Sequence, residues 1–279
     1  MVKVGVHVSI AGSLDRAVDR AKNAGCDVFQ IFSRSPRGWG FAPLSDETSD
    51  AFISKIQSSG IIPVDHMPYL PNLASSKPDI YEKSVAALSS ELERCGRLNI
   101  PYLVTHLGHH LGDGIAGGRT RVIGAVNKAL ENSDNDVILL LENTAGEKNS
   151  VGSSFEHIQG IINGIEKTNR IGVCLDTCHA FAAGYELRTD TGLAETLRQF
   201  DDQIGIKNLR IMHLNDSKGD RGSSLDRHEH IGMGFIGEDG FRVILHHPVL
   251  SSIPLICETP VDDRRDDIGN VAKVRELAR

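Results

Sequence analysis

Nine side chains able to bind a divalent cation stand at or just beyond the ends of short apolar segments: His66, His106, Glu142, Asp176, His179, His213, Asp226, His228 and Glu258. Imidazole nitrogens mixed with carboxylate oxygens suit zinc or another borderline divalent ion. A single His or Asp at a strand end is more often a hydrogen-bonded rim residue than a ligand, so the weight lies in the joint pattern. Nine donors exceed what one tetrahedral ion takes and suffice for two or three ions that each keep an open position. If Glu142 is shared between two ions, the site has the two-metal geometry, about 3.5–4 Å between ions, that serves phosphoryl transfer.

Such a convergence needs a scaffold that brings eight strand ends together. Apolar segments ending in polar residues recur at Lys3–Ser9, Cys26–Phe32, Gly60–His66, Tyr102–Gly108, Asp136–Asn143, Ile171–His179, Asn208–Asp216 and Ile253–Thr259. Helix-like stretches separate them, among them Ser13–Ala24, Asp46–Ser58, Tyr81–Leu98, Arg119–Glu131, Ser154–Lys167, Ala194–Ile204 and Glu238–His246, and Arg264–Leu277 follows the last. Strand–helix alternation predicts a parallel sheet with right-handed crossovers, and eight units predict a (β/α)8 TIM barrel spanning residues 1–279 as a single domain. Parity agrees: Ile138, Leu140 and Glu142 share a face, as do Val104 with His106 and Ile211 with His213. Columns of interior apolar residues therefore end in ligand-type side chains at one mouth. Two long polar loops, Arg34–Ser45 and Asp216–Gly237, are the expected functional loops. His7, at the end of the first strand, is a candidate hydrogen-bond partner of a ligand or phosphate. His157, His230, His246 and His247 are expected at the surface or behind the ligands. Strand alternation points Cys178 away from Asp176, so it is left out of the ligand set.

Composition narrows the function. The 279 residues carry 30 Lys+Arg against 37 Asp+Glu, a formal net charge of −7, which argues against loose, purely electrostatic nucleic-acid binding. Three divalent ions would bring the total to about −1 and concentrate positive charge at the mouth. The longest apolar run, Val137–Leu141, falls far short of the roughly 20 residues a membrane span needs. Five cysteines, none in CxxC spacing, and an N-terminus without a signal-peptide pattern suggest a reduced, cytoplasmic setting.

Four segments carry a family resemblance: Glu142-Asn143-Thr144-Ala145-Gly146, the run from Asp176 to Tyr185 (DTCHAFAAGY), His213-Leu214-Asn215-Asp216 and Asp226-Arg227-His228. In their order and separation the chain resembles endonuclease IV, the zinc-dependent apurinic/apyrimidinic endonuclease family of DNA repair, from Met1 to about Arg265. The resemblance implies a TIM barrel with three zinc ions at its mouth. His66 and His106 would hold one with Glu142, which would bridge to a second held by Asp176, His213 and Glu258. His179, Asp226 and His228 would hold the third. It also implies a monomer acting on double-stranded DNA, incising 5′ to abasic sites to leave a 3′-hydroxyl and a 5′-deoxyribose phosphate, and removing 3′ blocking groups. Glu142 and Glu258 would orient the cluster and manage the proton. Arg37, Tyr69 and Leu70 would enter the minor groove of a bent duplex and fill the space left by a flipped nucleotide. Two stretches depart from familiar members: Ser33-Arg34-Ser35-Pro36 stands where they carry Asn-Gln before the arginine, and Leu107-Gly108-His109-His110 where many have Pro-Gly-Ser-His.

The rival reading is a divalent-metal sugar isomerase or epimerase on a similar barrel. Such an enzyme needs one or two ions, which leaves the Asp226-x-His228 pair without a role.

Overall fold

Near-continuous apolar runs such as ILLLE and IGVCLD belong in strands covered on both faces, as in a parallel sheet wrapped by helices. The computed structural model describes residues 2–40 and 43–279, and in it eight such strands make one parallel sheet. They are β1 (Val4–Val6), β2 (Val28–Ile31), β3 (Ile62–His66), β4 (Tyr102–Thr105), β5 (Ile138–Glu142), β6 (Ile171–Asp176), β7 (Leu209–His213) and β10 (Leu255–Cys257). Neighbours run β1–β10–β7–β6–β5–β4–β3–β2. A parallel bridge between His7 and Gln30, with Val8 N–H donating to Gln30 O at 2.8 Å, brings β1 back to β2. The fold is a TIM barrel.

Helices α1 (Asp15–Asn23), α2 (Asp46–Ser59), α3 (Pro78–Arg97), α4 (Gly114–Glu131), α5 (Phe155–Ile162), α7 (Asp190–Gln203), α8 (Gly237–His246) and α9 (Asp267–Leu277) cover the outside of the barrel. Several begin on side-chain caps. Ser45, Ser154, Thr189 and Asp266 each accept a backbone N–H from the first turn of α2, α5, α7 and α9. A short helix, α6 (Thr177–Ala182), follows β6 directly, and β8 (Asp216–Ser217) pairs antiparallel with β9 (His228–Glu229) in the loop after β7.

Two apolar layers result. The larger lies between sheet and helices. The smaller fills the barrel with one side chain from each of seven strands: Val28, Val64, Val104, Leu140, Cys174, Ile211 and Ile256. Two residues further along each strand, on the same face, stand Gln30, His66, His106, Glu142, Asp176, His213 and Glu258. The columns read from Val104, Leu140 and Ile211 thus run through the barrel filling to its C-terminal rim.

Two expected segments are broken in the structure. The stretch expected as strand from Ile171 to His179 stops at Asp176, whose carboxylate caps α6 by accepting His179 N–H at 2.8 Å. The stretch expected to reach Asp216 leaves the barrel at His213, and Asp216 belongs to the β8–β9 pair. Both breaks come from polar side chains that bind backbone N–H groups and turn the chain.

Closure of the ring depends on Gly5. A Cβ there would lie 1.5 Å from the carbonyl oxygen of Val28, so no side chain fits between β1 and β2. Gly5→Ala is expected to destabilise the fold by about 2–3 kcal/mol, read as a lower denaturant midpoint in equilibrium unfolding.

Candidate metal centre

Glu142, at the end of β5, is fully buried. Its two oxygens face different partners. Oε2 lies 3.2 Å from His66 Nε2 and 3.0 Å from His106 Nε2. Oε1 lies 3.1 Å from His213 Nδ1 and 3.3 Å from His179 Nδ1. The far side of His213 Nδ1 meets Glu258 Oε2 at 3.3 Å and Asp176 Oδ2 at 3.9 Å. His179 Nε2 meets Asp226 Oδ1 at 3.2 Å, and His228 Nε2 stands 3.8 Å from Asp226 Oδ1 and 3.6 Å from Asp176 Oδ2.

The donor atoms fall into groups whose members lie within 4.8 Å of one another: His66, His106 and Glu142; Glu142, Asp176, His213 and Glu258; and His179, Asp226 and His228. All nine residues singled out from the sequence are brought together at the mouth. Cys178 forms a further group with Asp176 and His228, contrary to its expected exclusion. Strand alternation does not apply to it, because α6 begins at Thr177 and turns the thiol back toward Asp176.

The hydrogen bonds of the imidazoles test whether cations fit. A neutral imidazole carries one N–H. His66 Nδ1 spends it on Met67 O at 2.7 Å, His228 Nδ1 on Glu258 O at 3.0 Å, and His213 Nε2 on Gln30 Oε1 at 2.9 Å. His179 Nδ1 lies 2.9 Å from Asn143 O. The opposite nitrogens therefore present lone pairs to carboxylate oxygens, an arrangement that needs a cation or a proton between them. His228 Nε2 is buried and has no hydrogen-bond partner among the described residues. Donor chemistry and tautomers both fit bound divalent cations.

The same crowding appears in proton affinities. Burial works to lower His106, but the carboxylate of Glu142 holds it above the usual histidine range. Burial likewise opposes the charged form of Glu142, yet His106 and His213 hold it well below the carboxylate range. Glu258, also opposed by burial, is brought down to about 2 by His213 and His66. His7 points the other way: burial pushes it down to about 4.

Behind the donors stands a layer that sequence reasoning missed. Asn143 Oδ1 accepts Asp176 N–H at 2.7 Å, and Asn215 Nδ2 donates to Asp176 Oδ2 at 2.7 Å while its Oδ1 accepts Glu258 N–H at 2.7 Å. Both residues lie inside the quoted motifs, which was the available signal. Gln30, a lone amide in the apolar strand β2, is fully buried and also touches the cluster. His230, expected at the surface or behind the ligands, is completely buried, with its Nε2 3.0 Å from Asp262 Oδ1 and its Nδ1 3.0 Å from Asn270 Nδ2.

Asp216 holds the loop that carries Asp226 and His228. Its buried carboxylate accepts the backbone N–H groups of Ser217 (2.8 Å), Gly232 (3.0 Å), Gly234 (2.9 Å), Ile236 (2.9 Å) and Gly237 (3.2 Å). Gly234 is required there, since a Cβ would sit 2.4 Å from Ser217 O.

Tyr69 and Leu70 project from the loop after β3 and are 67% and 41% exposed. The Tyr69 ring packs edge-on against Phe32 at 5.1 Å between centroids and lies 6.3 Å from His66 and 6.4 Å from His106. Arg37 lies in the loop after β2. That loop is anchored from below: Arg34 pairs with Glu91, Ser33 Oγ donates to Glu91 Oε2 at 2.7 Å, and Arg94 Nη2 donates to Ser33 O at 2.6 Å. The departing residues Ser33 and Arg34 are thus part of the loop's foundation.

The fold and the donor cluster define a class, and the family model described as "Xylose isomerase-like TIM barrel" matches residues 18–279. Within that class the relatives are specific. The "Probable endonuclease 4" of Methanoculleus marisnigri is 62% identical over 280 residues, covering 100% of this chain and 99% of its own. The crystal structure of endonuclease IV from Thermus thermophilus superposes with a TM-score of 0.88 at 36% identity, covering 99% of this chain and 98% of that one. A D-tagatose 3-epimerase-like protein shares the fold at 20% identity and a TM-score of 0.73, covering 99% and 95%. The chain belongs to the endonuclease IV family and is an endonuclease of that type.

Asp216→Ala would leave buried N–H groups unpaired along the loop. Its local opening is expected to become easier by about 3 kcal/mol, read as faster hydrogen exchange and proteolysis across residues 217–237 while the barrel core stays protected.

Proposed function

We propose that this protein is a DNA-repair nuclease that hydrolyses the phosphodiester 5′ to abasic sites in double-stranded DNA, leaving a 3′-hydroxyl and a 5′-deoxyribose phosphate, and that it also removes 3′ blocking groups. The observation that carries the reading is Glu142, whose two oxygens serve two separate donor groups while a third group stands alongside. The three groups would hold three zinc ions: His66 and His106 one, Asp176, His213 and Glu258 a second, and His179, Asp226 and His228 a third, with Glu142 shared between the first two. Bound zinc would supply Lewis acidity, making water more acidic and offsetting the negative charge of a phosphodiester.

The chain's own residues would do the rest. Glu142 is sealed from solvent and can serve only to orient. Glu258 keeps a side-chain exposure of 16% where Glu142 has none, and it is the carboxylate assigned to managing the proton of attacking water. Tyr69 and Leu70, exposed above the donors, have the flat and aliphatic surfaces that replace stacking when a nucleotide leaves the helix. Arg37 adds a cation that can enter the minor groove. Bending and flipping of the duplex follow from that wedge. A nucleotide without a base loses little stacking on flipping, which favours abasic sites. A monomer suffices, since one chain holds the entire donor set. Five buried, free cysteines accord with a reduced, cytoplasmic setting, and among the described residues no helix is long and apolar enough to cross a membrane.

Elemental analysis should find about three zinc per chain, and the zinc-replete protein should cut a duplex holding one tetrahydrofuran abasic analogue without added magnesium. Zinc-loaded protein that leaves the duplex intact would sink the reading. One or two manganese ions with sugar epimerisation would favour the rival. Glu258→Gln is expected to lower kcat by about 10²–10⁴ while the duplex still binds, measured by single-turnover cleavage beside a gel-shift titration. Tyr69→Ala should weaken binding of the abasic duplex about tenfold with zinc content unchanged; lost zinc would assign the ring to the metal site instead.

A further inference from the structure

Eight strands offer eight rim positions, and six are filled by His66, His106, Glu142, Asp176, His213 and Glu258. The other two, on β1 and β2, carry His7 and Gln30, and these two residues form the bridge that brings β1 to β2. Gln30 stands two residues beyond Val28 of the barrel filling and is fully buried. A primary amide at the floor of a cluster of imidazoles and carboxylates has to satisfy an acceptor and two donor hydrogens.

It does so on three partners. Gln30 Oε1 accepts from His213 Nε2 at 2.9 Å. Its Nε2 donates to Glu258 Oε1 at 2.6 Å and lies 3.1 Å from His7 Nδ1. The amide can point only one way: turned over, its carbonyl would face the Glu258 carboxylate and its NH2 the N–H of His213. With this orientation the proton of His213 resides on Nε2, so the Nδ1 lone pair faces Glu142 and Glu258. Glu258 has Oε1 tied, leaving Oε2 toward His213. His7 accepts at Nδ1, so its N–H is at Nε2.

We infer that Gln30 is a positioning residue of the metal centre: its one amide fixes the tautomer of His213 and the rotamer of Glu258, and links both to His7. This rests on the metal-centre reading above. Partners of metal ligands typically change metal affinity or activity by 10–100-fold when removed. Gln30 differs from an ordinary packing residue because its three bonds all end on the cluster or on its neighbour at the rim.

The test uses the full chain loaded with zinc. Gln30→Met keeps the length of the side chain and removes all three bonds. Gln30→Glu keeps the volume and loses both donors. For each, zinc transfer to a chromophoric chelator is followed beside circular dichroism and steady-state cleavage of the tetrahydrofuran duplex. In both variants one zinc per chain is expected to leave with about 10–100-fold weaker affinity, with an unchanged spectrum, and kcat should fall by a similar factor while KM stays within about twofold. A zinc-replete wild type beside variants that hold zinc equally tightly and keep kcat would overturn the inference alone. A wild type that binds no zinc would overturn the metal-centre reading and this inference with it. Should one variant fail to fold, the zinc affinity of the other decides.

Discussion

The rest of the molecule is arranged around a carboxylate that could not stand where it does without positive charge. Glu142 is buried at the end of β5 with four imidazoles within 3.3 Å of its oxygens. An isolated buried carboxylate is costly, and the lone pairs of His66 and His213 beside it add repulsion. The arrangement becomes favourable only when cations, or protons in their stead, sit between donors. Barrel, loops and outer hydrogen bonds all hold acceptors closer than they would stay by themselves.

That burden explains why so many groups behind the cluster are fully used. Asn143, Asn215 and Gln30 each connect a donor to a neighbouring strand or to another donor. Asp216 plays the same part at longer range, gathering the backbone of the loop after β7 so that Asp226 and His228 face His179. For bound cations a fixed lone-pair direction would matter, because partners that orient metal ligands tune metal affinity.

Charge takes on a second meaning in this frame. The chain is acidic overall, with a net charge of −7, yet belongs to a family of DNA-cutting enzymes. Cations at the mouth would reverse the field where a phosphodiester has to arrive, while the acidic surface elsewhere discourages indiscriminate binding. Tyr69 lies beside His66 and His106, and it and the next residue, Leu70, are exposed. The wedge role proposed for them would not need charge, since stacking and apolar contact are what an unstacked duplex lacks.

The barrel and the six donors at its strand ends were legible in the linear chain, because both depend on short-range periodicity, whereas His179 on α6 and Asp226 and His228 in the loop after β7 lie beyond it. A parallel strand buried on two faces reads as an apolar run, and a residue two places beyond its interior side chain must appear at the same face. The sequence by itself therefore determined that Val104 leads to His106, Leu140 to Glu142 and Ile211 to His213. Only the tertiary structure decided how the donors are shared: that Glu142 turns one oxygen to His66 and His106 and the other to His213 and His179, that α6 begins early enough to bring Cys178 back toward Asp176, and that Gln30 reaches both His213 and Glu258. Those relations join residues 30, 142, 213 and 258. They are set by the stagger of strands around the barrel, and no local pattern encodes that stagger.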